Sequence, residues 1–122
     1  MFHCLAGTCA DLLIGGSGSE RSKHAWVEVY RSLAHGTAKS ACEDKKTIGK
    51  FPASIDDFAN KFVETQSKRH EADYNPLARF YRSDVLADIE SVKIVIENFS
   101  KAPAKDRRAF ASWVLFKNTK RN

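Results

Sequence analysis

Apolar residues recur every three or four positions along most of this 122-residue chain, and this spacing constrains the fold more than any other feature. The pattern is clearest in one set: Val85, Ile89, Val92, Ile96 and Phe99. Such spacing places side chains on one face of an α-helix. No segment alternates apolar and polar residues over a useful length, so β-strands are not expected. The chain is therefore predicted to be all-α.

Capping residues and helix breakers divide the pattern into helices. The predicted ranges are residues 2–14, 22–46, 54 to just before Pro76, 83 to about 99, and 104–117. Ser22, Ser54 and Ser83 are suited to cap helix N-termini, and Gly15–Ser19 is predicted to be a flexible connector. We expect an antiparallel bundle of four to five helices in one domain, residues 1–122, with a loose tail at 118–122.

Several apolar residues outside the regular stripes have predicted places of their own. Leu77, Phe80 and Tyr81 lie in the irregular segment 75–82, and three large side chains there predict a connector packed onto the body. Trp26 and Trp113 are expected in the core. Gly36 lies inside the pattern of the second helix, where glycine is unfavourable, so close helix packing is predicted at this residue.

Composition narrows the functional classes. Lysine plus arginine exceed aspartate plus glutamate by five, and the pI is about 9.2, which permits an anionic partner without requiring one. The odd number of cysteines predicts reduced thiols and a cytoplasmic protein. Cys4 and Cys9 point about 140° apart on a helix, so a metal site is not expected. No cofactor is expected either. No apolar run approaches the ~20 residues that span a membrane.

The third predicted helix carries an apolar stripe that turns polar without changing its period. Its apolar part is Ile55, Phe58, Ala59, Phe62 and Val63. The next positions on the same face are Gln66, Arg69, His70, Asp73 and Tyr74. Burying unpaired polar groups costs about 1–3 kcal/mol each. These groups are therefore either solvated at a frayed helix end or gathered into a polar site. The hypothesis of a site requires that this end of the helix faces inward, with its groups paired.

Three segments together resemble the HEPN superfamily of small helical bundles. The run Arg69-His70-Glu71-Ala72-Asp73-Tyr74, followed by Asn75-Pro76, is similar to the arginine-led signature of that group. The aromatic and histidine-containing helix around Trp26–Ala38 and the regular helix Ser83–Phe99 add to the likeness. The resemblance covers about residues 22–100 and depends mainly on the six residues from Arg69 to Tyr74.

The resemblance implies a homodimeric bundle that acts on RNA or a nucleotide. Many members are metal-independent ribonuclease toxins paired with a nucleotidyltransferase-type antitoxin. Their signature is an arginine followed four to six residues later by a histidine. In this chain four residues separate Arg69 from Tyr74 instead, and only three separate Arg31 from His35. The signature is therefore not intact.

Each residue around the signature has an expected role in RNA chemistry. Cleavage without a metal needs a base, an acid and a cation, and the candidates are Tyr74, His70 and Arg69. Asp73 is expected to hold Arg69, while Lys68, Arg69, Arg79 and Arg82 form a basic rim for phosphates. Tyrosine, with a reference pKa near 10, is ionised in about one molecule per thousand at pH 7. Ribonuclease activity is therefore expected to be weak at most.

A second hypothesis comes from a different functional class. The chain is then a non-catalytic protein-interaction or dimerisation bundle, in which the residues from Arg69 to Tyr74 only tie the third helix to the connector. Under this hypothesis Tyr74 buries its ring and Arg69 forms a surface ion pair with Asp73. His35 lies about 180° from Trp26 on the predicted second helix, and it is expected to face solvent or a dimer partner.

Overall fold

The computed structural model describes residues 1–116, and within them it is all-helical. The helices are α1 Phe2–Ile14, α2 Lys23–Ser32, α3 His35–Glu43, α4 Lys45–Ile48, α5 Ala53–Tyr74, α6 Arg82–Ser100 and α7 Ala104–Phe116. The all-α prediction is confirmed. The described residues contain more helices than the four to five expected, and the HEPN-like form of the bundle stays a prediction. The predicted end of the last helix at Lys117 and the tail 118–122 lie outside the described residues.

The single helix predicted over residues 22–46 is wrong. Leu33 and Ala34 adopt extended backbone and separate α2 from α3, and Asp44 separates α3 from α4. The Ser32 hydroxyl donates a hydrogen bond to the Glu28 carbonyl at 2.7 Å, a contact that bends helices. The break turns Leu33 into the core. Gly36 is exposed and nothing approaches the position of its absent Cβ, so the close packing predicted there is also wrong.

Helix ends were predicted with mixed success. Ser22 caps α2 as expected, since its hydroxyl accepts a hydrogen bond from the Ala25 amide. The caps expected at Ser54 and Ser83 are wrong, because α5 and α6 start one residue earlier, after Pro52 and Tyr81. The predicted stop before Pro76 is confirmed, with the residue ahead of the proline in extended geometry.

The helices pack in the spatial order α2, α1, α7, α3, α5, α6. The core lies between α1, α3, α5 and α7, and small side chains on α3 let its neighbours approach closely. Phe58 is at the centre of an aromatic cluster, with its ring 4.3 Å from that of Phe99 and 6.0 Å from that of Phe110. Trp26 and Trp113 are half-buried at the core margin, where their indole N–H groups bind the Asp11 carboxylate and the Ala41 carbonyl.

The glycine-rich segment after α1 forms a turn, which agrees with the predicted connector. Gly15 has φ 127°, a conformation that L side chains rarely adopt, and a Cβ there would lie 2.5 Å from the Ser19 hydroxyl. The Arg21 guanidinium donates to the Gly15 carbonyl and to the Asp11 carboxylate. These contacts close the turn against α1.

The C-terminal part of α5 and the N-terminal part of α6 form a helical hairpin that extends past the core. We call residues 66–94 the arm. α5 is the main neighbour of α6, and of the apolar stripe Val85, Ile89, Val92, Ile96 and Phe99 only Phe99 is fully buried. The connector predicted to pack on the body is instead exposed, with Leu77 85% and Tyr81 71% accessible. This prediction is wrong because the core ends before the hairpin does.

No helix within residues 1–116 is both long enough and apolar enough to cross a membrane.

Candidate functional site

Six side chains from two helices surround a shallow cleft of about 240 Å³, which we call the polar cleft. They are His35 from α3 and Gln66, Arg69, His70, Asp73 and Tyr74 from α5. The α5 residues share one face because they follow one another at steps of three and four. The sequence therefore located five of the six residues. It missed His35, because the predicted continuous helix placed that residue on the far side from Trp26.

Each imidazole of the polar cleft contacts an aromatic ring. The His35 ring stacks on Phe2 of α1, with centroids 3.7 Å apart and planes 13° apart. The His70 ring lies against that of Tyr74, with centroids 4.6 Å apart. The parallel stack on Phe2 restricts rotation of the His35 ring, whereas His70 and Tyr74 are both exposed and hold each other less firmly.

The polar end of α5 was expected to face inward, and within this chain it does not. Arg69 and Asp73 are both exposed, and the Arg69 Nε lies 3.9 Å from the Asp73 Oδ2, too far for a hydrogen bond. Tyr74 is 74% exposed, so its ring is not buried against the connector. The physical reason is length. At 22 residues, α5 spans about 33 Å and continues beyond its neighbours.

Lys68 links the two helices of the arm. Its ammonium group lies 2.7 Å from the Asp88 carboxylate on α6 and 3.1 Å from the Glu64 carboxylate one turn earlier on α5. Hydrogen bonds from Lys68 lower the pKa of both carboxyl groups, and the bond to Asp88 is the main cause of a raised Lys68 pKa. The charge of Lys68, predicted to meet phosphates, is therefore compensated by two carboxylates within the protein.

The other predicted members of the basic rim lie apart from the polar cleft. Arg79 borders a second depression, of about 370 Å³, together with Lys68, Tyr81 and Asp84. Arg82 is exposed at the first position of α6. Arg69 alone of the four predicted basic residues lines the polar cleft.

A larger groove of about 490 Å³ runs between α5 and α6, and we call it the apolar groove. Its apolar lining comes from Met1, Ala72, Phe80, Val85, Ile89 and Val92. Its charged and polar lining comes from Lys61, Glu64, Thr65, Lys68, Arg69, Asp88 and Lys93. The sequence contained the signal for this groove in the stripe 85–89–92, but a stripe that lines an open groove has the same period as one that fills a core.

The thiols and the carboxylates provide no further centre within the described residues. Among residues 1–116 no group of three histidine, cysteine, aspartate or glutamate side chains is placed to hold a metal ion. Cys9 and Cys42 are buried in the core, and burial raises the pKa of each to about 12.

Comparison of the chain with models of protein families, with curated proteins and with solved structures finds no significant match.

Proposed function

We propose that this protein is a helical interaction module that self-associates through its arm. One observation carries this proposal: most of the large hydrophobic side chains exposed in residues 1–116 belong to the arm. They are Tyr74, Leu77, Phe80, Tyr81, Val85, Leu86, Ile89 and Ile94. Large exposed apolar surface on a folded protein usually marks an interaction site.

The exposed apolar area of the arm is large. With roughly 100 Å² accessible on each of these side chains, the arm exposes roughly 800 Å² in all, and Phe80, Val85 and Ile89 contribute the part that lines the apolar groove. Accessible area does not convert directly into affinity, because association also costs translational and side-chain freedom. The aromatic members, Phe80 and Tyr81, are the kinds of residue that contribute most of the binding energy in such interfaces.

A second copy of this chain is the occupant that suits the apolar groove. In a two-fold symmetric interface the same patch meets itself, so apolar side chains of one arm face the same side chains of the other. The groove is lined by charges of both signs, and its carboxylates, Glu64 and Asp88, already pair with Lys61 and Lys68 within the chain, so the apolar side chains are the groups free to meet a partner. Packing two arms against each other would place helices on both sides of the exposed stripe and form a four-helix arrangement.

Sedimentation velocity over a range of protein concentrations tests self-association. We expect the wild-type chain to dimerise and Phe80→Ser with Ile89→Ser to remain monomeric with an unchanged helical circular dichroism spectrum. The matched control is Leu13→Ser, which removes an exposed apolar residue from α1 rather than from the arm. A monomeric wild-type chain at about 100 μM, or dimers of equal strength in all three proteins, would refute the proposal.

A second function, binding of RNA or a nucleotide, is favoured by the composition of the polar cleft. Arg69 and His70 both line the cleft, and the cleft is open to a ligand. In this version the protein is cytoplasmic, any ribonuclease activity of Arg69, His70 and Tyr74 is weak, and a nucleotidyltransferase-type antitoxin is a candidate partner.

Filter binding of labelled single-stranded RNA at increasing salt tests this second function. We expect binding at low salt that weakens steeply as salt rises, because each phosphate contact releases counterions. Arg69→Ala should weaken binding, whereas Arg108→Ala, which removes an exposed arginine from α7, should not. Equal binding by both variants, or no binding at low salt, would count against it.

A further inference from the structure

We propose that the polar cleft recognises a phosphate group, and that His35 binds it jointly with Arg69 and His70. This inference deepens the second function, RNA or nucleotide binding, by naming the group that is bound and by adding a residue from outside the signature. It does not require self-association, although Arg69 lines both the polar cleft and the apolar groove of the arm.

The hydrogen-bonding groups of the cleft suit an anion. The Arg69 guanidinium offers a planar fork of N–H donors, and it makes no hydrogen bond to another described residue. Two imidazoles, the Tyr74 hydroxyl and the Gln66 amide supply further donors around the same space. Asp73 is the one carboxylate in the lining, and its contact with Arg69 leaves that fork open.

The position of His35 adds to this set of donors. It is the first residue of the nine-residue helix α3, whose N-cap, Ala34, has no side chain that accepts from the first turn. The amides of this turn therefore have no side-chain cap, and they lie at the end of the helix where the dipole favours negative charge. Gly36 keeps this backbone accessible, because nothing packs within 4 Å of its Cβ position.

One member of the cleft is positioned by a neighbouring ring. His35 stacks on Phe2, whereas His70 contacts Tyr74, which is itself 74% exposed. Groups held in place lose less freedom on binding than free side chains do. The volume of about 240 Å³ is below the roughly 300–1,000 Å³ of pockets that enclose whole small molecules. The cleft therefore matches recognition of one phosphate with the rest of its molecule outside.

Proton NMR of the imidazole resonances tests the site in the wild-type chain. The chain has four histidines. On titration with sodium phosphate at constant pH and ionic strength, we expect the signals of His35 and His70 to shift and saturate. Those of His24, exposed on α2, and of His3, which contacts Tyr30, should not shift. Equal shifts of all four signals, or a His35 signal that stays in place, would overturn the proposal.

Three probes distinguish the possible sources of the phosphate. These are inorganic phosphate, adenosine 5′-monophosphate, and a short RNA with hydroxyl groups at both ends. Binding of the first two alone identifies a terminal phosphate, and binding of the RNA identifies a backbone diester. His35→Phe, which keeps a ring against Phe2 but has no donor, should weaken binding of the probe at least about tenfold, as expected for loss of a charge-assisted hydrogen bond. The control His24→Phe should leave the affinity for the probe unchanged.

The outcomes separate this inference from the proposed functions. If Arg69→Ala abolishes RNA binding and His35→Phe does not, the role of His35 is refuted and RNA binding stands. If none of the three probes binds, both phosphate recognition and RNA binding are refuted. Sedimentation of the same samples reports self-association separately in every case.

Discussion

At the scale of single residues, stability is concentrated in the aromatic cluster around Phe58. This ring is fully buried and contacts the rings of Phe99 and Phe110. Phe58→Ala should lower the free energy of unfolding by about 3–5 kcal/mol, because it removes buried apolar surface and leaves a cavity. Urea denaturation followed by tryptophan fluorescence measures the change.

The matched control is Leu77→Ala, which also shortens a large apolar residue but at an exposed position. It should change the unfolding free energy by less than about 0.5 kcal/mol when measured on the monomer. Similar losses for both variants would show that the core is not centred on Phe58.

The three thiols should differ in reactivity. Burial is the main cause that raises the pKa of all three, to about 12 for Cys9 and Cys42, and Cys4 is only half-buried. Since thiolate is the reactive form, Cys9 and Cys42 should not react with a thiol reagent at pH 8 until the protein unfolds. Mass spectrometry of labelled peptides identifies the modified residues, and rapid native labelling of Cys9 or Cys42 would contradict the described core.

At the scale of elements, the Lys68 contacts make docking of α6 on α5 dependent on pH. The pKa values of Glu64 and Asp88 are lowered, so their contribution is present above the unfolded values of about 4 and is lost as pH falls through the folded ones. The pKa of Lys68 is raised, so its contribution is present below about pH 10 and is lost as pH rises through the folded value.

Lys68→Met should therefore lower the melting temperature between about pH 5 and pH 9 and have little effect at pH 3. The effect is small, since the groups are largely exposed and water screens them. The control is Lys101→Met, which removes an exposed lysine from the Glu97 ion pair outside the arm. Hydrogen exchange of the arm amides, measured as the temperature is raised at each pH, gives the comparison. An equal loss at pH 3 would show that charge is not the cause.

At the scale of the whole molecule, the sequence predicted where helices form better than it predicted how they pack and which side chains they expose. The buried half of α5 and the stop before Pro76 follow from local spacing and from proline geometry, and both were predicted. The break at Leu33–Ala34 depends on what α3 packs against. The apolar spacing over residues 22–46 is the same with or without the break, so it predicted one continuous helix. The exposure of Val85 and Ile89 depends on where the neighbouring helices end, which local spacing does not encode.

The candidate site divides in the same way. Arg69, His70, Asp73 and Tyr74 were grouped correctly because they share one helix face. The approach of His35 requires the turn between α2 and α3, and the compensation of Lys68 requires Asp88 on another helix. Both are tertiary contacts, which residue spacing within one helix does not specify.

Unfolding of the monomer should not be a single transition. Trp26 and Trp113 both lie in the body of the protein, so their fluorescence reports on the core alone. Circular dichroism reports on all helices, including the arm, which has few buried contacts. At low protein concentration we expect the dichroism to decrease at lower urea than the fluorescence. Coincident curves would show that the arm and the core unfold together.

The uninterrupted course of α5 from Ile55 to Tyr74 has a mechanical consequence. The helix is a rod with one end anchored among the buried phenylalanines and the other end outside them. A partner bound to the outer end therefore also resists extraction of the anchored end. Its binding free energy adds to the work needed to pull the protein apart.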